Sequence, residues 1–125
     1  MSFFAEKHGF SEEKVNDCHY HVTRQYPIEM SAEFLRMQRE YLGIEKIALL
    51  AMTRASREVD PSNNIKALYL KELDKHNIYA FASIHYRKDG GDTAENLLEQ
   101  IKFYDKAGFD GIKMVEGKPV YHRIL

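Results

Sequence analysis

The chain has 125 residues, of which 44% are hydrophobic and 30% charged, a composition typical of one globular domain and unlike that of a disordered segment. Its 18 lysine and arginine residues are balanced by 19 aspartate and glutamate residues, so no basic surplus favours nucleic acid as a partner. The apolar stretches are far shorter than the roughly 20 residues that cross a bilayer, which argues against a membrane partner.

Two features bear on where the protein works. The first ten residues lack a basic region followed by an apolar run, so we expect no secretory signal. Cys18 is the single cysteine and cannot form an internal disulfide. These features predict a reducing, cytoplasmic setting.

Four segments have the character of β-strands, namely 16–22, 46–52, 78–86 and 109–115. The first is rich in β-compatible residues, and the others are continuous apolar runs of the kind found in strands buried on both faces. Apolar residues at helical spacing predict three intervening helices, over 31–42, 61–77 and 92–107.

The ends and the core-facing stripes of these helices are also predicted. Ser31 is the expected N-cap of the first helix, while Gly43 and Gly108 are expected to end the first and the third. The residues expected to face the core are Phe34, Leu35, Gln38, Tyr41 and Leu42, then Ile65, Leu68, Tyr69 and Leu73, then Ala94, Leu97, Leu98, Ile101 and Tyr104.

The spacing of the strands favours a repeated unit. Equivalent positions of successive strands are separated by 31, 32 and 31 residues, which indicates a parallel sheet with right-handed crossover helices. One completion is a half barrel, the first four βα units of a (β/α)8 TIM-type barrel, since a full barrel has about 250 residues. The other is an open flavodoxin-like sheet, disfavoured because residues 23–27 form no glycine-rich phosphate loop.

The most informative segment is Asp-Cys-His-Tyr-His, residues 17–21, at the end of the first strand. Alternate residues of a strand share a face, so we expect Asp17, His19 and His21 on one face and Cys18 and Tyr20 on the other. Two imidazoles on one face can converge on a metal, and nitrogen ligands suit zinc, as well as iron, cobalt or manganese. Cys18 is interpreted as a small packing residue beneath a helix.

The alternative interpretation is a pair of surface or hydrogen-bonded histidines. With six histidines in 125 residues, a chance His-x-His pair is expected roughly one time in four. The placement of the pair favours a site, because ligands bind at the carboxyl ends of the strands in repeated βα folds.

Four segments, in order, resemble the amidohydrolase-related family, the metal-dependent hydrolases and decarboxylases of TIM-barrel fold. They are the Asp-x-His-x-His of 17–21, Glu-Lys-Ile-Ala-Leu-Leu at 45–50, Ile-Tyr-Ala-Phe-Ala-Ser-Ile at 78–84 and Ala-Gly-Phe-Asp-Gly-Ile-Lys at 107–113. The resemblance extends over residues 15–118.

The resemblance implies a divalent metal, most often zinc, held by His19 and His21 together with residues of strands five to eight. It implies hydrolysis of lactones or amides, or non-oxidative decarboxylation, of a small organic substrate. The pattern here ends at the fourth strand, and catalytic zinc sites have at least three protein ligands. We therefore expect an incomplete active site in this chain, with weak metal binding and little activity.

Three other residues are candidates for the site. In related two-metal enzymes a lysine at the place of Lys113 can be carbamylated and bridge metals, whereas an ion pair with a nearby carboxylate such as Asp17 is the structural alternative. Arg54 has the forked guanidinium that suits a substrate carboxylate, and His85 ends the third strand, where it could reach a substrate. The structural alternatives are a solvated Arg54 and a His85 that caps the strand.

The edges of the predicted sheet suggest association. Strands one and four of a half barrel are open edges, which pair readily with other chains. We expect self-association, and a two-fold dimer would bring His19 and His21 of both copies toward a shared axis. The alternative function is a non-catalytic half-barrel module that acts through self-association or partner binding.

Overall fold

The computed structural model of the chain describes residues 14–52, 61–84 and 93–113. In these ranges strands and helices alternate. They are β1 (Val15–Val22), α1 (Ile28–Leu42), β2 (Ile44–Ala51), α2 (Ser62–Leu73), β3 (Ile78–Ser83), α3 (Ala94–Ala107) and β4 (Gly111–Lys113).

The four described strands form one parallel sheet in the order β1-β2-β3-β4. This confirms the predicted βα repeats. A flavodoxin-like sheet places β1 between β2 and β3, whereas here β2 pairs with both β1 and β3. The open flavodoxin-like alternative is therefore wrong for these strands.

The three helices form one layer on a single face of the sheet. Along β2, Ile47, Leu49 and Ala51 are fully buried and belong to one apolar cluster with Ala67 and Leu70 of α2. α1 contacts α2, and a hydrogen bond joins α2 to α3. The opposite face, which we call the site face, contains His21 of β1, Leu50 of β2, Phe81 of β3 and Lys113 of β4.

The helix ends confirm two predictions and correct a third. Gly43 and Gly108 end α1 and α3 in the left-handed conformation, with φ of 70° and 100°. Ser31 does not cap α1, which begins three residues earlier. Its hydroxyl instead donates to the carbonyl of Pro27 at 3.2 Å, one turn back within the helix.

The predicted core-facing stripe of α2 is wrong. Ile65, Tyr69 and Leu73 are 65%, 53% and 55% exposed. The buried side chains are Asn63, Asn64, Lys66, Ala67 and Leu70. The spacing of the apolar residues did not identify this face, because the first turn of α2 makes polar contacts with the ends of the strands.

The other two helices bury less than their stripes predict. In α1, Leu35 is buried, whereas Phe34, Tyr41 and Leu42 are exposed. In α3 no residue is fully buried. The apolar stripe of each helix is wider than the part of the helix that contacts the sheet. The side chains at the margins of the stripe therefore stay exposed.

Asn64 fastens α2 to the carboxyl end of β3. Its Oδ1 accepts from the backbone N–H of Ser83 at 2.8 Å, and its Nδ2 donates to the carbonyl of the same residue at 3.0 Å. The same Nδ2 donates to the hydroxyl of Tyr104 at 2.9 Å. One buried amide thus takes the place of a strand neighbour for Ser83 and ties α3 to the layer.

Lys66 and Asn63 hold two neighbouring chain segments. The Nζ of Lys66 donates to the carbonyl of Thr23 at 2.9 Å and to the carbonyl of Tyr26, which fixes the connection from β1 to α1. Burial lowers the pKa of this lysine, although the charge of Glu29 acts in the opposite direction. The Nδ2 of Asn63 donates to the carbonyl of Met52, directly after β2.

No helix within the described ranges is long and apolar enough to cross a membrane.

We expect Asn64→Ala to lower the free energy of unfolding by about 2–4 kcal/mol, since it removes both buried hydrogen bonds between the Asn64 amide and the backbone of Ser83. Urea unfolding followed by circular dichroism measures the change. Asn96→Ala is the matched control, because Asn96 is exposed on α3 and should change stability by less than about 0.5 kcal/mol. Equal effects of the two substitutions would show that Asn64 does not hold β3.

Candidate metal centre

A β-bulge in β1 positions the two histidines. Asp17 pairs with Ile47 of β2, but Tyr20 pairs with Leu49, so three steps along β1 match two steps along β2. One extra residue at this point reverses the alternation of the strand. Each later side chain of β1 therefore lies on the opposite face from the one that regular alternation predicts. Cys18 and His19 together lie opposite Ala48.

The bulge corrects two predictions. Asp17 lies opposite the fully buried Ile47, on the helix side of the sheet, and so does not share a face with His21, which lies opposite Leu50. Cys18 is exposed, not packed beneath a helix. Tyr20 does pack against the core on the helix side, as expected.

Asp17 stabilises the bulge instead of facing the histidines. Its Oδ1 accepts from the backbone N–H of His19 at 2.9 Å. This local bond supplies a partner for an amide that the bulge takes out of the regular strand ladder. Asp17 therefore stabilises the end of the strand through the backbone.

The structure brings the imidazoles of His19 and His21 together. Their Nε2 atoms are 2.8 Å apart, and the ring centroids are 4.6 Å apart with an angle of 49° between the planes. Both residues are exposed. At this distance one ring donates a hydrogen bond to the other, which requires that at least one of the rings be neutral.

The electrostatic surroundings favour a neutral His21. Burial lowers the pKa of His21, and the nearby charges of His19 and Lys113 lower it further. At neutral pH this imidazole therefore has a free lone pair, which metal coordination requires.

Lys113 shares the site face with His21. It pairs with Ser83 at the carboxyl end of β3, and its charge contributes to the lowered pKa of His21. In the described part of the chain no ion pair joins it to Asp17, because Asp17 lies on the helix side of the sheet. The ion pair with Asp17 is therefore not formed, and pairing of Lys113 with another carboxylate stays a prediction.

Two of the predicted site residues cannot be placed relative to the histidines. Arg54 and His85, predicted to bind substrate, lie outside the described residues. Within ranges 14–52, 61–84 and 93–113, no group of three or more histidine, cysteine, aspartate or glutamate side chains is placed to hold a metal. The pair of histidines thus supplies two nitrogen donors.

The segment 107–113, one of the four that carry the family resemblance, has a structural explanation. Gly108 adopts the left-handed conformation that ends α3. The carboxylate of Asp110 accepts from the backbone N–H of Ala80 at 2.8 Å and pairs with Lys71. A side chain at Gly111 would lie 2.6 Å from the ring of Phe81. Asp110 and Gly111 therefore dock β4 onto β3, and Gly108 ends the helix before it.

Sequence reasoning missed a cleft of about 570 Å³ between α1 and α2. It lies near Ile78, at the amino end of β3 and so away from the histidines. Its arginines are paired, Arg36 with Glu33 and Glu40, and Arg39 with Asp74. The bond from Arg39 lowers the pKa of Asp74. The spacing of Glu33, Arg36 and Glu40 predicts the ion pairs within α1 but does not predict the cleft.

Comparisons with models of known protein families, with curated proteins and with solved structures found no match to this chain. The function is therefore inferred from the geometry of the side chains described above.

We expect Lys113→Met to raise the pKa of His21 toward its ordinary value of about 6.5, because one of the causes that lower it is removed. Imidazole chemical shifts followed by NMR across pH measure this titration. Lys102→Met, on the exposed surface of α3, is the control and should leave the titration unchanged. An unchanged midpoint in Lys113→Met would show that the ammonium group lies too far from β1 to act.

Proposed function

We propose that this chain is a metal-binding βα domain of the amidohydrolase-related type, equivalent to the first four units of a TIM-type barrel. His19 and His21 bind a divalent metal, with zinc the first choice. The observation that carries the proposal is the pair of imidazole nitrogens 2.8 Å apart at the carboxyl end of β1.

The geometry of the pair suits a shared ion. Two nitrogen ligands at about 2.0–2.1 Å from a tetrahedral zinc lie about 3.4 Å from each other. Small rotations of two exposed rings widen the present contact to that separation. The strand beneath them is held at Asp17, so both rings start from a defined backbone position.

The chemistry available at this site face supports a hydrolase or decarboxylase. A bound metal of this kind polarises a water or a substrate carbonyl. Lys113 presents a positive charge on the same face, where it would attract a carboxylate or carbonyl oxygen of a small substrate. In the family resemblance, a carbamylated Lys113 is itself a metal ligand.

The proposed reaction is hydrolysis or non-oxidative decarboxylation of a small organic acid, lactone or amide, in the cytoplasm. Arg54 and His85 are the residues proposed to bind the substrate, since they follow the carboxyl ends of β2 and β3 in the sequence. Two imidazoles alone are fewer than the three protein ligands of a catalytic zinc site. The activity of this chain by itself is therefore proposed to be low.

One observation favours the alternative function, a non-catalytic module that acts by association. Large apolar side chains face outward from the helices, among them Ile65 at 65% exposure and Phe103 at 67%. Where such side chains form a contiguous patch, it marks a surface to which another protein binds. In that module His19 and His21 would form only the hydrogen bond with each other.

Zinc titration separates the two functions. We expect the unmodified chain to bind zinc and His19→Ala/His21→Ala to bind it at least about tenfold more weakly, because both donors are lost. Isothermal titration calorimetry measures the affinity. His76→Ala, which removes an exposed histidine after α2, is the control and should bind zinc as the unmodified chain does.

Equal zinc affinity of the unmodified chain and His19→Ala/His21→Ala would contradict the metal site. In that case the pair would serve only as a hydrogen-bonded contact of β1.

A further inference from the structure

We infer that a divalent metal joins two copies of this chain, with His19 and His21 of each copy supplying its four ligands. The inference rests on the proposed metal binding and not on the proposed reaction, because a zinc with four protein ligands has no open position for a water or a substrate. The second copy is both the partner of the chain and the other half of its metal site.

The number of donor atoms favours a metal shared by two copies. Zinc held by protein ligands alone is four-coordinate and tetrahedral. The convergent pair of imidazoles supplies two donors, and the described residues place no third histidine, cysteine, aspartate or glutamate beside them. A second copy related by a two-fold axis through the metal supplies an identical pair, and this completes the coordination without any other protein.

The position of the two histidines on an edge strand also favours a metal shared by two copies. Among the described strands, β1 has a neighbour on one side only, which is β2. Both histidines of β1 are exposed, and so is Cys18 between them in the bulge. Another chain can therefore approach the two rings closely. An edge strand of eight residues is in addition a surface that favours pairing with a second strand.

The charges of the ligands and of the two chains are also compatible with a shared metal. Neutral imidazoles bring no negative charge to the metal, so the bound ion keeps its charge, and two chains with a formal net charge of −1 each oppose their association only weakly.

Analytical ultracentrifugation with added zinc tests the inference on the full chain under reducing conditions. We expect the molecular mass to double on addition of zinc, with one zinc per two chains by elemental analysis, and to return to that of one chain with a chelator. X-ray absorption should show four nitrogen neighbours at about 2.0 Å from the zinc.

Three variants assign the effect to the two histidines. His19→Ala/His21→Ala should stay monomeric with zinc. His76→Ala should dimerise like the unmodified chain, which excludes a general effect of exposed histidines. Cys18→Ser should also dimerise, which excludes a thiolate ligand or a disulfide between copies.

The outcomes distinguish this inference from the metal proposal. One zinc per chain without a change in mass would overturn the shared site and leave the metal proposal standing. Absence of zinc uptake would overturn both. A dimer of equal strength with and without zinc, or one kept by His19→Ala/His21→Ala, would show that another surface joins the copies and would overturn the inference.

Discussion

One extra residue in β1 determines which side chains meet at the end of the sheet. The bulge between Asp17 and Tyr20 changes the alternation of the strand, and the bond from the Asp17 carboxylate to the His19 amide stabilises it. With regular pairing throughout, Asp17 would share a face with both imidazoles. With the bulge, the carboxylate of Asp17 accepts from the backbone, Asp17 lies on the helix side, and the two imidazoles lie on the site face without it.

The surroundings of that strand end are held by the first turn of α2. Asn63, Asn64 and Lys66 make hydrogen bonds to backbone groups at the carboxyl ends of β2 and β3 and in the connection after β1. Buried polar groups stabilise a fold when they are paired, and here the amide N–H groups of Asn63 and Asn64 and the ammonium group of Lys66 all donate to backbone carbonyls. The edge of the sheet where ligands bind in βα folds is thus positioned by one helix.

Sequence patterns predicted the fold better than the site. Continuous apolar runs and a near-constant repeat predicted the parallel strands, and Gly43 and Gly108 predicted the helix ends, because these features depend on local conformation and burial. The inward face of α2 was predicted wrongly, since Asn64 and Lys66 are buried by contacts with distant residues. The bulge was equally beyond local patterns, because it exists only in the register of β1 against β2.

The contact between the two imidazoles is the central claim, and a nuclear Overhauser effect between the ring protons of His19 and His21 tests it most directly. Rings with Nε2 atoms 2.8 Å apart and centroids 4.6 Å apart should give an effect between the carbon-bound protons that flank Nε2. Absence of that effect, together with contacts from the ring of His19 to the buried side chains of α2, would place this histidine on the helix side and contradict the account.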